Sequence, residues 1–406
     1  MTKTKKQKNT KWIKPRHCVV TVILRPFIGA YTKLKYHIKV EKFIEQNRPH
    51  LVLFNHQTAF DQFFVGMAFK DPIYYVASED LFSNGFVSSV IRYLVAPIPI
   101  KKQTADVKAI MTCMRVAKEG GSIAIAPEGN RTFSGKTEYI NPSIVPLAKK
   151  LNMPIVLYRI EGGYGVHPRW SDVVRRGKMR SYVARIIEPE EYKAMSNDEL
   201  YSAICDGLHV CESTVSGEFK HRKRAEYLER AMYVCPTCGL TTYESHGNTI
   251  KCLKCGQEIE YLPTKQIIGV NCDFPFEFVN GWYEYQSEFV NSLDVMKHLD
   301  EPLYTEQIAL SEVIPYKRKV KICKKAKLSL FGNKLTINTD GKELGFAFDK
   351  THAITILGKN KLNVYFDNRI YQIKGNKRFN ALKYVHIYHR HKNILRGDSD
   401  GKFLGL

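Results

Sequence analysis

The chain reads as an α/β protein: a mixed, largely parallel sheet covered by helices, followed by a four-cysteine ribbon and a β-rich C-terminal part. Three observations predict this. From residue 50, short apolar runs alternate with amphipathic stretches at strand–helix spacing. Two C-x-x-C pairs fall between residues 235 and 255. From about residue 315, short strand-like runs follow one another across turns such as "TDGKE" and "GKNK".

In order, "HLVLFN" is a buried strand and "TAFDQFFVGMAF" a helix. "PIYYVA" is a strand, "EDLFSNGFVSSVIRYL" a helix, "APIPI" a short strand and "TADVKAIMTCMRVAKEG" a helix ending at Gly120-Gly121. "SIAIAPEG" is a strand running into a loop, "SIVPLAKKLN" a helix, and "PIVLYRI" and "SYVARIIEP" are closing strands. Residues 189–232 look helical and polar, and 215–233 is the expected exit from this first unit. An aromatic helical stretch, "FPFEFVNGWYEYQSEFVNSLDVMKHL", follows the cysteines. "KLSLFG", "KLTINT", "LGFAFD", "AITILG", "LNVYFD" and "RIYQIKG" are strands, and "KRFNALKYVHIYHRH" is a final helix. Short strands closed by one C-terminal helix resemble a pleckstrin-homology-like barrel.

Charge is unevenly placed. The 406 residues carry a net +22, of which residues 1–40 supply 11 basic and no acidic groups, and residues 311–406 supply 21 basic against 7 acidic. The middle is near neutral, so an anionic surface would bind at the ends, either nucleic acid or an anionic membrane leaflet. No apolar run reaches 18 residues, which argues against a conventional membrane-spanning helix. "CVVTVILRPFIGAY", residues 18–31, is interrupted by Arg25-Pro26. It follows a Lys-rich arm without a small-x-small cleavage site, so it is expected to dip into one leaflet rather than act as a secretory signal. With no export signal, the ten cysteines place the chain in the reducing cytosol.

"NHQTAFD" puts His56 and Asp61 five positions apart, just past the end of an apolar strand. Chance alone can produce such a pair, and a second one, His167…Asp172 in "HPRWSD", follows the flexible "EGGYG" and is read as structural. His56 is preferred because ligands gather beyond the C-terminal ends of strands in such sheets. "APEGNRT" places Glu128, Gly129 and Arg131 on a tight loop after another strand. There Arg offers a fork of donors for phosphate and Gly allows close backbone approach.

Together these blocks resemble the glycerolipid acyltransferase family that includes lysophosphatidic acid acyltransferases. The family's N-H-x-S-x-x-D corresponds to "NHQTAFD", with Thr58 in the serine position, and F-P-E-G-T-R-S corresponds to "APEGNRT". Looser matches are "APIPIKK", with Lys102 where Arg is usual, and "NMPIVLYRI" at Pro154. The resemblance covers roughly residues 15–213. It implies a glycerolipid acyltransferase fold and the transfer of a fatty acyl group from acyl-CoA or acyl carrier protein to 1-acyl-glycerol 3-phosphate, giving phosphatidic acid. His56 would be the general base oriented by Asp61, and its ordinary pKa near 6.5 suits that work. Lys102, Glu128, Gly129 and Arg131 would hold the acceptor's glycerol phosphate. Glycerol 3-phosphate or another lysolipid is the alternative acceptor.

Cys235, Cys238, Cys252 and Cys255 have the spacing of a zinc ribbon, and a glycine follows each pair. Four thiolates would make the site closed and structural, binding one zinc, with His246 a spare. The expected organisation is a basic arm and membrane-associating segment (1–47), an acyltransferase domain (48–214), a helical linker (215–232), the ribbon (233–260), a helical connector (261–314) and a pleckstrin-homology-like domain (315–406). The expected location is the cytoplasmic face of a membrane, bound peripherally at its anionic surface, with no nucleic-acid partner. A zinc-ribbon nucleic-acid-binding protein is the competing class; it leaves residues 50–190 unexplained.

Overall fold

The computed structural model of the protein describes residues 11–44, 48–83, 85–100, 106–314, 318–339 and 341–397. The first ten residues of the basic arm and Lys102 lie outside the described residues.

The first half runs α1 (Pro15–Tyr36), β1 (Ile38–Val40), β2 (Leu51–Phe54), α2 (Asp61–Ala68), β3 (Ile73–Ser78), α3 (Phe86–Val95), β4 (Ile98–Ile100), α4 (Val107–Lys118) and β5 (Ser122–Ile125). It continues through α5 (Ile144–Leu151), β6 (Ile155–Glu161), α6 (Gly163–Val166), β7 (Met179–Ile187), α7 (Pro189–Ala194) and α8 (Asn197–Leu208). The seven strands form one sheet in the order β1-β7-β6-β2-β5-β3-β4. Strands β2 to β6 run parallel, β7 is antiparallel to β6, and β1 runs with β7, so the sheet is mixed as expected.

The apolar run "LVLF" is buried at all four positions because β2 lies at the centre with helices on both faces. Its side chains alternate between two cores. Leu51 and Leu53 join Val116, Ile123, Ile155, Ile204 and Leu208 on the face covered by α4, α5 and α8. Val52 and Phe54 join Phe64, Val65 and Tyr36 on the face covered by α1 and α2. The stretch expected to be one helix over 79–94 is instead a 3-10 turn, Glu79–Phe82, followed by α3.

The apolar segment of the arm lies in α1, a 22-residue helix with Pro15 in its first turn and Pro26 in its interior. α1 packs against α3, with Arg16 over the Tyr93 ring at 4.0 Å. It leaves Phe27 and Leu34 70% and 76% exposed, and Phe86 on α3 is 82% exposed. No helix among the described residues is long and apolar enough to cross a membrane.

The helix expected over "FKHRKRAEYLERAM" does not form; a single 3-10 turn, Leu228–Arg230, is its only helical part. Its polar groups are drawn into tertiary contacts that a continuous helix would forgo. Lys220 pairs with Arg176 in an isolated β-bridge, and the Ala225 N–H donates to the Gly247 carbonyl. Arg230 donates to the carbonyls of Trp170 and Lys377 and to Asp172.

The cysteine-bearing segment contains the short hairpin β8 (Val234–Cys235) and β9 (Gly239–Leu240). An antiparallel sheet of β10 (Tyr243–His246), β11 (Thr249–Cys252), β12 (Glu258–Tyr261) and β13 (Ile267–Gly269) follows, then α9 (Val279–Ser292). The C-terminal sheet comprises β14 (Tyr304–Ile314), β15 (Arg318–Leu330), β16 (Lys334–Thr339), β17 (Lys342–Ala347), β18 (Ala353–Leu357), β19 (Lys361–Phe366) and β20 (Arg369–Lys374), and α10 (Leu382–Leu395) ends the described chain. Its order is β17-β16-β15-β14-β20-β19-β18, antiparallel throughout, with α10 against β18 and α9, a layout compatible with a pleckstrin-homology-like domain. The sheet starts at Tyr304, inside the stretch expected to be a helical connector.

One apolar cluster joins these parts to the first half. It contains Phe133, Tyr164 and Trp170 together with Tyr261, Trp282, Leu310, Ile356 and Tyr384. Trp170 is fully buried, meets Tyr261 edge-on at 5.8 Å, and donates to the Tyr164 hydroxyl at 3.1 Å.

Candidate active site

β2 pairs with β5 in parallel, Leu53 opposite Ile125, so both strands release their loops at the same edge of the sheet. Asn55 fixes the path of the first loop. Its amide donates to the Ile160 carbonyl at 2.9 Å and accepts from the Ile160 N–H at 2.7 Å, extending the β2–β6 pairing through a side chain. His56 is then clamped by the second loop on both sides of its backbone. Its N–H donates to Glu128 Oε1 at 2.7 Å, and its carbonyl accepts the Thr132 N–H at 3.0 Å.

Asp61 opens α2 and is fully buried. Its Oδ2 accepts from His56 Nδ1 at 2.7 Å and from the Gln57 N–H at 2.7 Å; its Oδ1 accepts from the Thr58 hydroxyl at 2.6 Å. Thr58 thus supplies the hydroxyl expected of a serine. Because a carboxylate only accepts, Nδ1 carries the proton, and Nε2 keeps its lone pair on a ring that lines the cavity described below. Burial lowers the His56 pKa below 6.5, and the hydrogen bond and charge of Asp61 offset only part of that shift.

Glu128 is buried with both oxygens engaged, Oε1 by His56 and Oε2 by the Glu138 N–H at 2.7 Å. Burial pushes its carboxyl well above the usual carboxylate range, against these two donors. Gly129 has φ +69°, the left-handed conformation that glycine adopts at least cost, in a turn closed by its N–H to the Ala126 carbonyl. Arg131 Nη1 is buried and has no hydrogen-bond partner. Burial lowers the Arg131 pKa, while Asp61 and Tyr36 oppose the shift.

His56, Glu128, Gly129 and Arg131 line one cavity of about 1160 Å³. Its remaining wall is largely apolar, from Val20, Leu24 and Ile28 of α1, Ile91 and Leu94 of α3, and Ile110 of α4. The structure therefore brings together five of the expected residues, Asp61 joining through His56; Lys102 lies outside the described residues. His167 is 8% exposed and bonded through Nδ1 to the Tyr36 hydroxyl at 3.2 Å, and burial first, then nearby cations, lower its pKa to about 3. Two cavity contributors had no sequence signal of their own: Arg169, in the already noted "HPRWSD", and Ile356, Leu357 and Gly358 from the C-terminal sheet.

Residues 35–160 match the family model described as Acyltransferase, a span that contains both loops. A curated relative, 1-acyl-sn-glycerol-3-phosphate acyltransferase of Bacillus subtilis (strain 168), is 22% identical over 137 residues, covering 34% of this chain and 65% of the relative. The match thus spans just under two thirds of that relative's length. Among solved structures, the 1-acyl-sn-glycerophosphate (LPA) acyltransferase PlsC from Thermotoga maritima aligns with a TM-score of 0.41 and 21% identity, over 47% of this chain and 78% of that one.

Outside the matched span, the sulfurs of Cys235, Cys238, Cys252 and Cys255 all lie within 4.8 Å of one another and could hold a metal ion. Gly239, after the first pair, has φ +69°, and a Cβ there would come within 2.9 Å of Phe289 on α9. His246 is not part of the cluster; it pairs with Glu244 at 3.3 Å.

The pKa shift of His56 has a direct readout. NMR titration of its ring should give a value below 6.5, and Asp61→Asn should lower it further by removing the carboxylate that favours the charged ring. A wild-type value at or above 6.5 would contradict the described burial.

Proposed function

We propose that the protein moves a fatty acyl group from an acyl thioester, acyl-CoA or acyl carrier protein, to the free hydroxyl of 1-acyl-glycerol 3-phosphate, giving phosphatidic acid. One observation carries this reading: an imidazole fixed by a buried carboxylate stands near a guanidinium with a buried, unpaired nitrogen, and both line a large apolar cavity. His56 Nε2 takes the hydroxyl proton as the oxygen attacks the thioester carbonyl. The new C–O bond forms, the C–S bond breaks, and the imidazolium returns the proton to the departing thiolate. Asp61 fixes the tautomer and stabilises the imidazolium. No serine or cysteine nucleophile is needed.

Arg131, with Lys102 by resemblance, takes the acceptor's phosphate, and Gly129 lets the loop approach it. Glu128 acts through the backbone, tying the loop that carries Arg131 to His56. The apolar wall takes acyl chain. The exposed apolar side chains of α1 and α3, next to the basic N-terminal arm, support peripheral binding to an anionic membrane surface at its cytoplasmic face.

The four cysteines suit one structural zinc. Tetrahedral thiolates at Zn–S distances of about 2.3 Å place sulfurs roughly 3.8 Å apart, and Cys235 Sγ and Cys255 Sγ are 3.8 Å apart here. Four protein ligands leave no position for a catalytic water.

The assay is formation of phosphatidic acid from 1-acyl-glycerol 3-phosphate and an acyl thioester by the full-length protein, with glycerol 3-phosphate as a parallel acceptor. His56→Ala should abolish turnover in a folded protein, and Arg131→Ala should chiefly raise the acceptor KM. A fully active His56→Ala variant would remove the proposed base. Metal analysis should find one zinc per chain, lost in Cys235→Ser together with stability, because metal binding contributes to folding free energy. Stoichiometric iron in protein made without metal supplementation would contradict the zinc assignment.

A further inference from the structure

Arg169 follows β6 and is 3% exposed, yet it lines the same cavity as His56 and Arg131. Its guanidinium lies 4.3 Å over the Phe133 ring. Two of its nitrogens are committed to backbone: Nη1 donates to the Arg131 carbonyl at 2.8 Å, and Nε donates to the Gly358 carbonyl at 3.2 Å. Gly358 belongs to the turn between β18 and β19, and with Ile356 and Leu357 it forms part of the cavity wall. Lys359 latches that turn to the first half, donating to Asp172 Oδ1 at 3.0 Å and to the Ser171 carbonyl.

Asp61 and Glu138 favour the charged forms of Arg131 and Arg169, respectively, but they do so without direct ion pairing. Among the described residues neither Arg131 nor Arg169 forms a salt bridge, and Arg131 Nη1 is buried without a partner. Burial lowers the pKa of both, and the charge of Arg131 helps to bring Arg169 down to about 9. A buried guanidinium beside a second one with a buried, unpaired nitrogen is costly unless an anion completes them. A phosphate monoester carries up to two negative charges and three terminal oxygens that match guanidinium forks.

We propose that Arg169, aimed by the carbonyls of Arg131 and Gly358, is a second guanidinium of the acceptor's phosphate site, so that the C-terminal sheet builds one wall of that site. The identity of the acceptor rests on the acyltransferase reading; the phosphate chemistry does not. Arg169 therefore acts in binding, and the β18–β19 turn positions it.

Calorimetry on the full-length protein with glycerol 3-phosphate and with inorganic phosphate reads the site directly, and steady-state kinetics with 1-acyl-glycerol 3-phosphate reads the lipid acceptor. Arg169→Gln should weaken glycerol 3-phosphate binding about tenfold to a hundredfold, the range expected for a charge-assisted hydrogen bond. The acceptor KM should rise in step, with kcat and the thioester KM within about threefold of wild type. Arg169→Lys should recover part, since it keeps the charge and loses the fork. Lys359→Ala, which releases the turn but leaves both arginines, should raise the same KM by a smaller factor, and with Arg169→Lys it carries the test if Arg169→Gln does not fold. Wild-type protein that binds glycerol 3-phosphate through Arg169 but makes no phosphatidic acid would overturn the acyltransferase reading and support the phosphate site. Wild-type protein that binds none of these phosphates, or a folded Arg169→Gln variant that binds them as wild type does, would overturn the site.

Discussion

The parallel pairing of β2 with β5 is the constraint on which the rest of the site depends. Leu53 opposite Ile125 places the last residues of both strands side by side, so loops 72 residues apart in sequence emerge together. A one-residue slip would turn each inward side chain to the other face of the sheet. Here such a slip would exchange Leu51 and Leu53 with Val52 and Phe54 between two differently built cores. The packing of the sheet therefore fixes the register, and the register fixes the distance between the imidazole and Arg131's loop.

Backbone stitching converts that proximity into a rigid arrangement. Glu128 and Thr132 hold the two polar groups of the His56 backbone, and four donors from residues 56–58 converge on the Asp61 carboxylate. In the proposed reaction, an imidazole held in this way would need little rearrangement before it accepted a proton. The C-terminal half belongs to the same architecture. Its core is continuous with Phe133, Tyr164 and Trp170, and its β18–β19 turn lines the cavity.

The parts of this arrangement that were legible in the sequence are those written in local pattern. Four consecutive apolar residues in "LVLF" mark a strand buried on both faces, and "NHQTAFD" and "APEGNRT" stand at strand ends, where side chains are free to face a ligand. The C-x-x-C pairs carry their own geometry in their spacing. By contrast, "FKHRKRAEYLERAM" has helical composition, but Arg224 and Arg230 find carbonyls and a carboxylate elsewhere, and tertiary contacts override local propensity. β14 reads as connector because its burial alternates only against the partners β15 and β20, which come later in the chain. Arg169 was invisible for a similar reason. Nothing in "HPRWSD" signals that a turn nearly 190 residues downstream will supply one of the carbonyls that aims it.

In the proposed reaction, the His56–Asp61 pair and Arg131 act on one substrate at one place. The most direct measurement is an experimental structure of the full-length protein with 1-acyl-glycerol 3-phosphate bound. The phosphate should lie against the Arg131 guanidinium, the free hydroxyl within hydrogen-bond reach of His56 Nε2, and the acyl chain along the apolar wall formed by α1, α3 and α4. A ligand whose phosphate lies away from Arg131, or whose hydroxyl cannot reach His56, would contradict it.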